Sequence, residues 1–130
     1  MKIILFGFVF LMCVVGCTTN EDPLICHVYG QVISEDDSIT AIDGIILRIQ
    51  DINPDNVGQV RIRSNIDTTE TADSLGGFFE IDTVCYGTTS QQGTGYVVIY
   101  ADSTSNPGYP SQAWAPTIRG DVDTIILYIY

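Results

Sequence analysis

The side chains most often used in acid–base and nucleophilic catalysis are scarce in this chain. His27 is the single histidine, and a Ser-His-Asp triad would need it as the general base. The sequence has no Gly-x-Ser-x-Gly elbow to present a nucleophilic serine. The single lysine, Lys2, lies in segment 1–16, which we expect to be removed, so the mature chain would have no lysine for Schiff-base chemistry. We therefore predict that the protein is not an enzyme and that His27 is an ordinary strand residue.

The N-terminal segment has the features of a secretory signal. Lys2 precedes an apolar run, residues 3–15, which is shorter than the roughly 20 residues that span a membrane. The Gly16-Cys17 pair that follows resembles the lipobox of bacterial lipoproteins. The resemblance implies cleavage before Cys17, leaving residues 1–16 as the signal peptide, and acylation of the Cys17 thiol. The alternative is an ordinary secretory signal with an incidental cysteine.

The same resemblance implies a location for the protein. Two or three acyl chains on Cys17 would anchor it stably to a membrane of the bacterial cell envelope. Thr18 follows the cysteine, and the absence of an Asp retention residue there favours the outer membrane if the source has two membranes. Residues 17–24 would form the lipidated cysteine and a polar tether.

Two cysteines remain once Cys13 is removed with the signal and Cys17 carries lipid. Cys26 and Cys85 each lie beside a strand-like run, and an even pair in an oxidising compartment predicts a disulfide. A bridge between them would stabilise the fold by roughly 4 kcal/mol through loop closure. The alternative is two buried thiols, which are common in protein cores.

No metal site or cofactor is predicted. The pattern Asp51-x-Asn53-x-Asp55 resembles the start of a calcium loop, but Asn56 replaces the required Gly and Ile62 stands in place of a bidentate Glu. We interpret the segment as a solvated turn. A zinc site is not expected from two cysteines and one histidine.

The loop 102–116 is the most unusual segment in composition. It carries Tyr109 and Trp114 among several prolines, and exposed aromatic rings at the edge of a sandwich can stack on sugars or contact a protein. These two residues are therefore the candidate ligand contacts. The alternative is that Trp114 folds back to cap the open end of the core.

The charge balance excludes one class of partner. The chain has 16 Asp and Glu against 5 Lys and Arg, a formal net charge of −11. Such a surface repels phosphate backbones, so nucleic-acid binding is not expected.

Short apolar runs with period-two alternation follow one another after the signal, without a helical period. Each run is bounded by turn residues, which predicts an all-β sandwich of seven strands. The alternation places Cys26, Val28, Gly30 and Val32 on one face of the first strand, and Ile45, Leu47 and Ile49 inward on the second. In the segment 60–63 it places both arginines, Arg61 and Arg63, outward.

The segment 71–81 organises the middle of the chain. Asp73 and Ser74 favour a tight turn, and Gly76 and Gly77 allow positive φ there. Phe79 and Ile81 are predicted on one face of the strand that follows, with Phe78 and Glu80 on the other.

Several of these pieces, in order, resemble a carboxypeptidase regulatory-like domain: residues 28–32, 41–47 and 71–81, followed by Val84 and Gly87. The resemblance covers residues 25 to about 101 and less clearly the rest of the domain, 25–130. It implies a transthyretin-like (prealbumin-like) sandwich with no catalytic residues. One residue is extra at Gly76-Gly77 relative to the family pattern, which predicts a bulge.

Together these features predict a non-catalytic cell-envelope lipoprotein. It would be held to the membrane by lipid on Cys17 and act as a structural or protein-binding module for an unidentified envelope protein. The alternative is a surface glycan-binding lipoprotein that uses the Tyr109 and Trp114 loop.

Overall fold

The computed structural model describes residues 22–59, 61–88 and 96–130. The predicted signal peptide, Cys17 and most of the tether lie outside these residues and stay predictions. The strands are β1 Pro23–Ser34, β2 Ile46–Ile52, β3 Ile62–Thr68, β4 Glu70–Ala72, β5 Leu75–Thr88, β6 Val97–Ala101, β7 Gln112–Trp114 and β8 Val122–Ile129. A short 3₁₀ segment, Pro54–Gln59, follows β2.

The strands form two four-stranded sheets, which confirms the all-β sandwich. Sheet A has the order β4-β5-β1-β8 and sheet B the order β3-β2-β6-β7. Neighbouring strands are antiparallel except for β1 and β8, which are parallel. The described residues contain eight strands, whereas seven were predicted. Two of the eight, β4 and β7, are three-residue edge strands in segments that lack an alternating pattern and were not predicted.

The core lies between the sheets, and the alternation of the sequence places its residues correctly. Phe79 and Ile81 are buried, Glu80 is exposed, and the inward set Ile45, Leu47 and Ile49 is buried. Other buried members of the core are Cys26, Val28, Val32, Val84, Val97, Ile99, Ala101, Ile118, Leu127 and Ile129.

Gly30 makes room for the largest core side chain. It pairs with Phe79 across β1 and β5, and a Cβ built at Gly30 would lie 2.0 Å from Cζ of that ring. The phenyl ring therefore lies directly over the glycine backbone, and no other residue type fits beneath it.

The β4–β5 hairpin turns at Asp73 and Ser74, as predicted. These two residues have φ of 47° and 71°, as in a two-residue type I′ turn. Of the two glycines, Gly77 has a positive φ of 65° and Gly76 does not. Glu70 pairs with Phe78 and Ala72 with Leu75, so two residue steps on β4 lie opposite three on β5, and the extra residue is accommodated at the glycines.

Three element boundaries differ from the prediction. β1 begins at Pro23, so the last two residues of the predicted tether belong to the sheet. β3 runs on to Thr68, beyond the alternating segment 60–63. The loop 102–116 contains β7, which pairs with β6. In each case the additional residues form a strand because they pair with a neighbouring strand, and this pairing outweighs their weak intrinsic strand propensity.

Candidate functional site

The outer face of sheet A carries a row of aromatic and apolar side chains. The rings of His27 and Tyr29 lie 4.5 Å apart, and Tyr29 and Phe78 lie 6.2 Å apart, between centroids. Ile126, which lies opposite Gln31 of β1, and Tyr128 share this face and are 50% and 43% exposed. Several exposed aromatic and apolar side chains on one face of a small domain are typical of an interaction surface.

β8 forms one border of this face and is an open edge. His27 N–H donates to the Asp121 carbonyl at 2.9 Å, and Glu35 N–H donates to the Ile129 carbonyl at 2.8 Å. Alternate residues of a parallel strand bond to the same neighbour, so the odd-numbered residues of β8 bond to β1. The even-numbered residues, including Ile126 and Tyr128, direct their N–H and C=O groups away from β1, where no strand of the described residues pairs with them. The Thr124 N–H donates instead to Oδ1 of the adjacent Asp123 at 2.8 Å.

The other three sheet edges are protected. β4 and β7 have three residues each, and β3 carries the charged residues Arg63 and Asp67. β8 has eight residues with one charged side chain, Asp123. A long, nearly uncharged edge is the feature that most sheet proteins avoid unless another chain pairs with it.

His27 does not behave as an isolated strand residue, because β5 brings two carboxylates to it. Its Nε2 is in hydrogen-bond contact with Oε1 of Glu80, and Asp82 is the next residue on that face of β5. The pairs Cys26–Val84 and Val28–Ile81 show an extra residue in β5 between Ile81 and Val84. One ligand atom from each of His27, Glu80 and Asp82 nevertheless lies within 4.8 Å of the other two.

A cleft of about 460 Å³ opens beside this corner, between β3 and β5. Arg63, Asp67, Glu80 and Asp82 line its polar side. Sequence reasoning missed Glu80 and Asp82 as functional candidates. The sequence contains one signal for them: Glu80 and Asp82 are two positions apart on a strand, which places both carboxylates on the same face.

Asp51 and Arg63 form a buried ion pair, contrary to both sequence interpretations. Asp51 is fully buried in β2 rather than solvated or free for calcium. Arg63, which was predicted to point outward, donates from Nε and Nη2 to the two Asp51 oxygens, each at 2.8 Å. It also donates to the Thr83 carbonyl at 2.6 Å. The hydrogen bond to Asp51 raises the pKa of Arg63, and the guanidinium joins sheet B to sheet A.

The predicted disulfide between Cys26 and Cys85 is not formed. Cys26 pairs with Val84 in register, and both belong to the core cluster. Since adjacent residues of a strand point to opposite faces, Cys85 points away from Cys26. Burial, reinforced by Asp123 and Asp121, raises the pKa of the Cys26 thiol, which makes it a poor nucleophile.

Tyr109 and Trp114 are half-buried and both pack against the core cluster. Trp114 lies in β7, opposite Ile99. This placement agrees with the alternative in which Trp114 covers the core, while the rest of each ring is open to solvent. Ligand contact by these residues stays a prediction.

Hydrogen bonds stabilise the charged form of several carboxylates in the turns. Bonds from the side chain and backbone of Thr40 lower the pKa of Asp37 to about 2. The Thr71 hydroxyl, followed by the Gly77 N–H, lowers the pKa of Asp43. The Asp43 oxygens lie 2.6 Å from Thr71 Oγ1 and 2.5 Å from the Gly77 nitrogen, so this side chain ties the loop before β2 to the bulge in β5.

No protein-family model, curated protein or solved structure matches the chain. Among the residues that the structure describes, no helix is long and apolar enough to cross a membrane.

Proposed function

We propose that the protein is a non-catalytic lipoprotein of the bacterial cell envelope whose sandwich binds another protein along β8. The lipobox-like Gly16-Cys17 supports the envelope location. The two-sheet architecture and the bulge at Gly76-Gly77 support a transthyretin-like, carboxypeptidase regulatory-like domain. The observation that carries the proposal is the open β8 edge, because its outward N–H and C=O groups can bind an extended segment as an added strand.

The chemistry of β8 defines the segment that it would accept. The outer face of β8 exposes three apolar side chains at even-numbered positions, those of Val122, Ile126 and Tyr128. Apolar residues at alternate positions of a partner strand would lie beside them and extend this row of apolar side chains. The formal net charge of −11 disfavours an acidic partner and favours a neutral or basic one.

Proline substitution at an outward position tests the edge directly. Ile126→Pro removes one outward N–H while leaving the bonds from β8 to β1 in place. Ile126→Val keeps the N–H and is the matched control. Each tagged variant is cross-linked in intact cells, purified, and the proteins that accompany it are identified.

We expect a stoichiometric envelope protein with the parent and Ile126→Val, and its loss with Ile126→Pro. A folded Ile126→Pro variant that retains the partner contradicts binding at the β8 edge. The absence of any protein enriched above a Cys17→Ser control contradicts the adaptor function itself.

The lipid anchor is tested by the same Cys17→Ser variant. Fractionation should find the parent in membranes and Cys17→Ser in the soluble fraction, because one thioether-linked lipid group and its companion chains supply the attachment. If Cys17→Ser stays in the membrane fraction, lipid on Cys17 is not what anchors the protein.

Glycan binding is the second candidate function, favoured by the packing of Tyr109 and Trp114 against the core. Rings held in place in this way lose little entropy on stacking against a sugar. Trp114→Leu keeps an apolar side chain on the core but removes the ring, so it should abolish retention on a glycan panel without unfolding the domain. Equal retention by parent and variant excludes this use of Trp114.

A further inference from the structure

We propose that His27, Glu80 and Asp82 bind a divalent transition-metal ion, with zinc as the expected occupant. These residues lie at one corner of the outer face of sheet A, apart from the outward groups of β8. One ligand atom from each lies within 4.8 Å of the other two. The cluster was not predicted from the sequence, because His27 lies more than fifty positions before the two carboxylates.

The donor set fits zinc better than calcium or magnesium. One imidazole nitrogen and two carboxylate oxygens are common zinc ligands, at about 2.0–2.2 Å from the ion. Ligands in a tetrahedral site then lie about 3.4 Å apart, so the cluster closes around an ion by small rotations of its side chains. Calcium needs six to eight oxygens, which two carboxylates do not supply.

The side chains have the freedom to make this adjustment. The His27 and Glu80 side chains are 30% and 40% exposed, and Asp82 is exposed. The Tyr29 ring packs against the imidazole and limits its orientation. Asp82 lies on the same side as Glu80 despite the irregular pairing of β5.

The surrounding charges favour a cation. Arg63 is engaged by Asp51 through two hydrogen bonds. Within residues 22–59, 61–88 and 96–130, neither Glu80 nor Asp82 forms an ion pair with an arginine. The two carboxylates thus face His27 without an arginine bonded to either of them, and a divalent ion would neutralise their charge.

Three protein ligands leave at least one coordination position open. Structural zinc sites are usually closed by four protein ligands, whereas sites with three keep a position for water or an exchangeable ligand. The open position would face solvent beside the cleft between β3 and β5. The site is therefore suited to reversible binding of the ion rather than to holding the fold together.

The test is calorimetric titration of Zn²⁺ into the full chain in detergent, after removal of bound metal with a chelator. Cys13→Ser and Cys17→Ser are included throughout so that no N-terminal thiol binds the ion. His27→Gln and Asp82→Asn remove one ligand each. Asp36→Asn is the matched control, because it removes an exposed carboxylate from the turn after β1.

We expect one Zn²⁺ per chain, with affinity weakened by at least about tenfold in His27→Gln and Asp82→Asn and unchanged in Asp36→Asn. Co²⁺ should give visible d–d absorption with the parent and lose it with the two ligand variants. Circular dichroism should show the same fold in all four proteins, since the substituted side chains lie at the surface.

Three results would overturn the proposal. The first is a parent that binds no Zn²⁺ under these conditions. The second is weakening of binding by Asp36→Asn equal to that by Asp82→Asn, which would show diffuse attraction to an acidic surface. The third is displacement of Zn²⁺ by Ca²⁺ at the same concentration, which would show that the imidazole nitrogen contributes nothing.

Discussion

Removal of the Arg63 guanidinium should be among the most damaging single changes in the domain. Asp51 is fully buried and receives two hydrogen bonds from Arg63. In Arg63→Met an ionised carboxylate would stay in the interior without a partner, and the Thr83 carbonyl would lose its donor. Breaking one partner of such a pair usually costs 3–5 kcal/mol, so about 3–5 kcal/mol is expected here.

Partial exposure of Arg63 places the expected cost at the lower end of that range. Its side chain is 28% exposed, whereas that of Asp51 is 0% exposed, so water can reach the cavity from the arginine side. A loss of about 3 kcal/mol corresponds to a fall of roughly 12 °C in melting temperature, at about 4 °C per kcal/mol for a domain of this size. Arg61→Met is the matched control and should change stability by less than about 0.5 kcal/mol, because Arg61 is exposed.

A double variant separates loss of the pair from loss of packing. Asp51→Leu with Arg63→Met replaces both charges by apolar groups, which is often neutral or stabilising. Urea unfolding of the parent, both single variants and the double variant gives the coupling energy.

Two outcomes would refute this account. A cost below about 1 kcal/mol for Arg63→Met would mean that the pair is not needed to compensate a buried charge. A double variant no more stable than Arg63→Met would mean that the loss comes from packing and not from the isolated carboxylate.

Three further predictions concern the core, the bulge and the thiols. Gly30→Ala should destabilise the domain by about 1–3 kcal/mol in urea unfolding, because the new methyl group overlaps the Phe79 ring. Asp43 has a lowered pKa in the folded state, so it stabilises the fold above its unfolded pKa of about 3.9 and this stabilisation is lost as pH falls through the folded value. Asp43→Asn should therefore lower stability at pH 7, and its difference from the parent should narrow below about pH 4; a constant difference would contradict the assignment. In denaturant without reductant, Cys26 and Cys85 should both be alkylated, as mass spectrometry would show. If both are alkylated only after reductant is added, the two cysteines form a disulfide and this prediction is wrong.

The alternation of the sequence was enough to predict the fold class and much of the core. The inward sets of the first two strands and the facing of Phe79 and Ile81 are confirmed, because side-chain direction along a strand depends only on the local backbone. The extra residue at Gly76-Gly77 was also visible in the sequence, because the segment 71–81 is one residue longer than the family pattern that it resembles. Strands β4 and β7 were not predicted, because their three residues acquire strand geometry only from the neighbour with which they pair.

The two charged clusters could not be predicted for a different reason. Asp51 and Arg63, and His27 and Glu80, meet because particular strands become neighbours in a particular register. Arg63 lies opposite Asp51 in the register of β2 and β3, so its side chain is on the inner face of sheet B and Ile62 is the exposed residue; the alternation of this segment was predicted in the wrong phase. The same limit explains why the disulfide was wrongly predicted, since a count of cysteines does not say which face of β5 Cys85 occupies.

The sequence by itself determined the β-rich character of the chain, its acidic charge and the N-terminal pattern that predicts lipidation, because each depends on composition or on residues close together along the chain. Only the tertiary structure decided which strand is left as an open edge and which carboxylates surround His27. Those features depend on contacts between residues far apart in sequence, whose register is set by the packing of the whole sandwich.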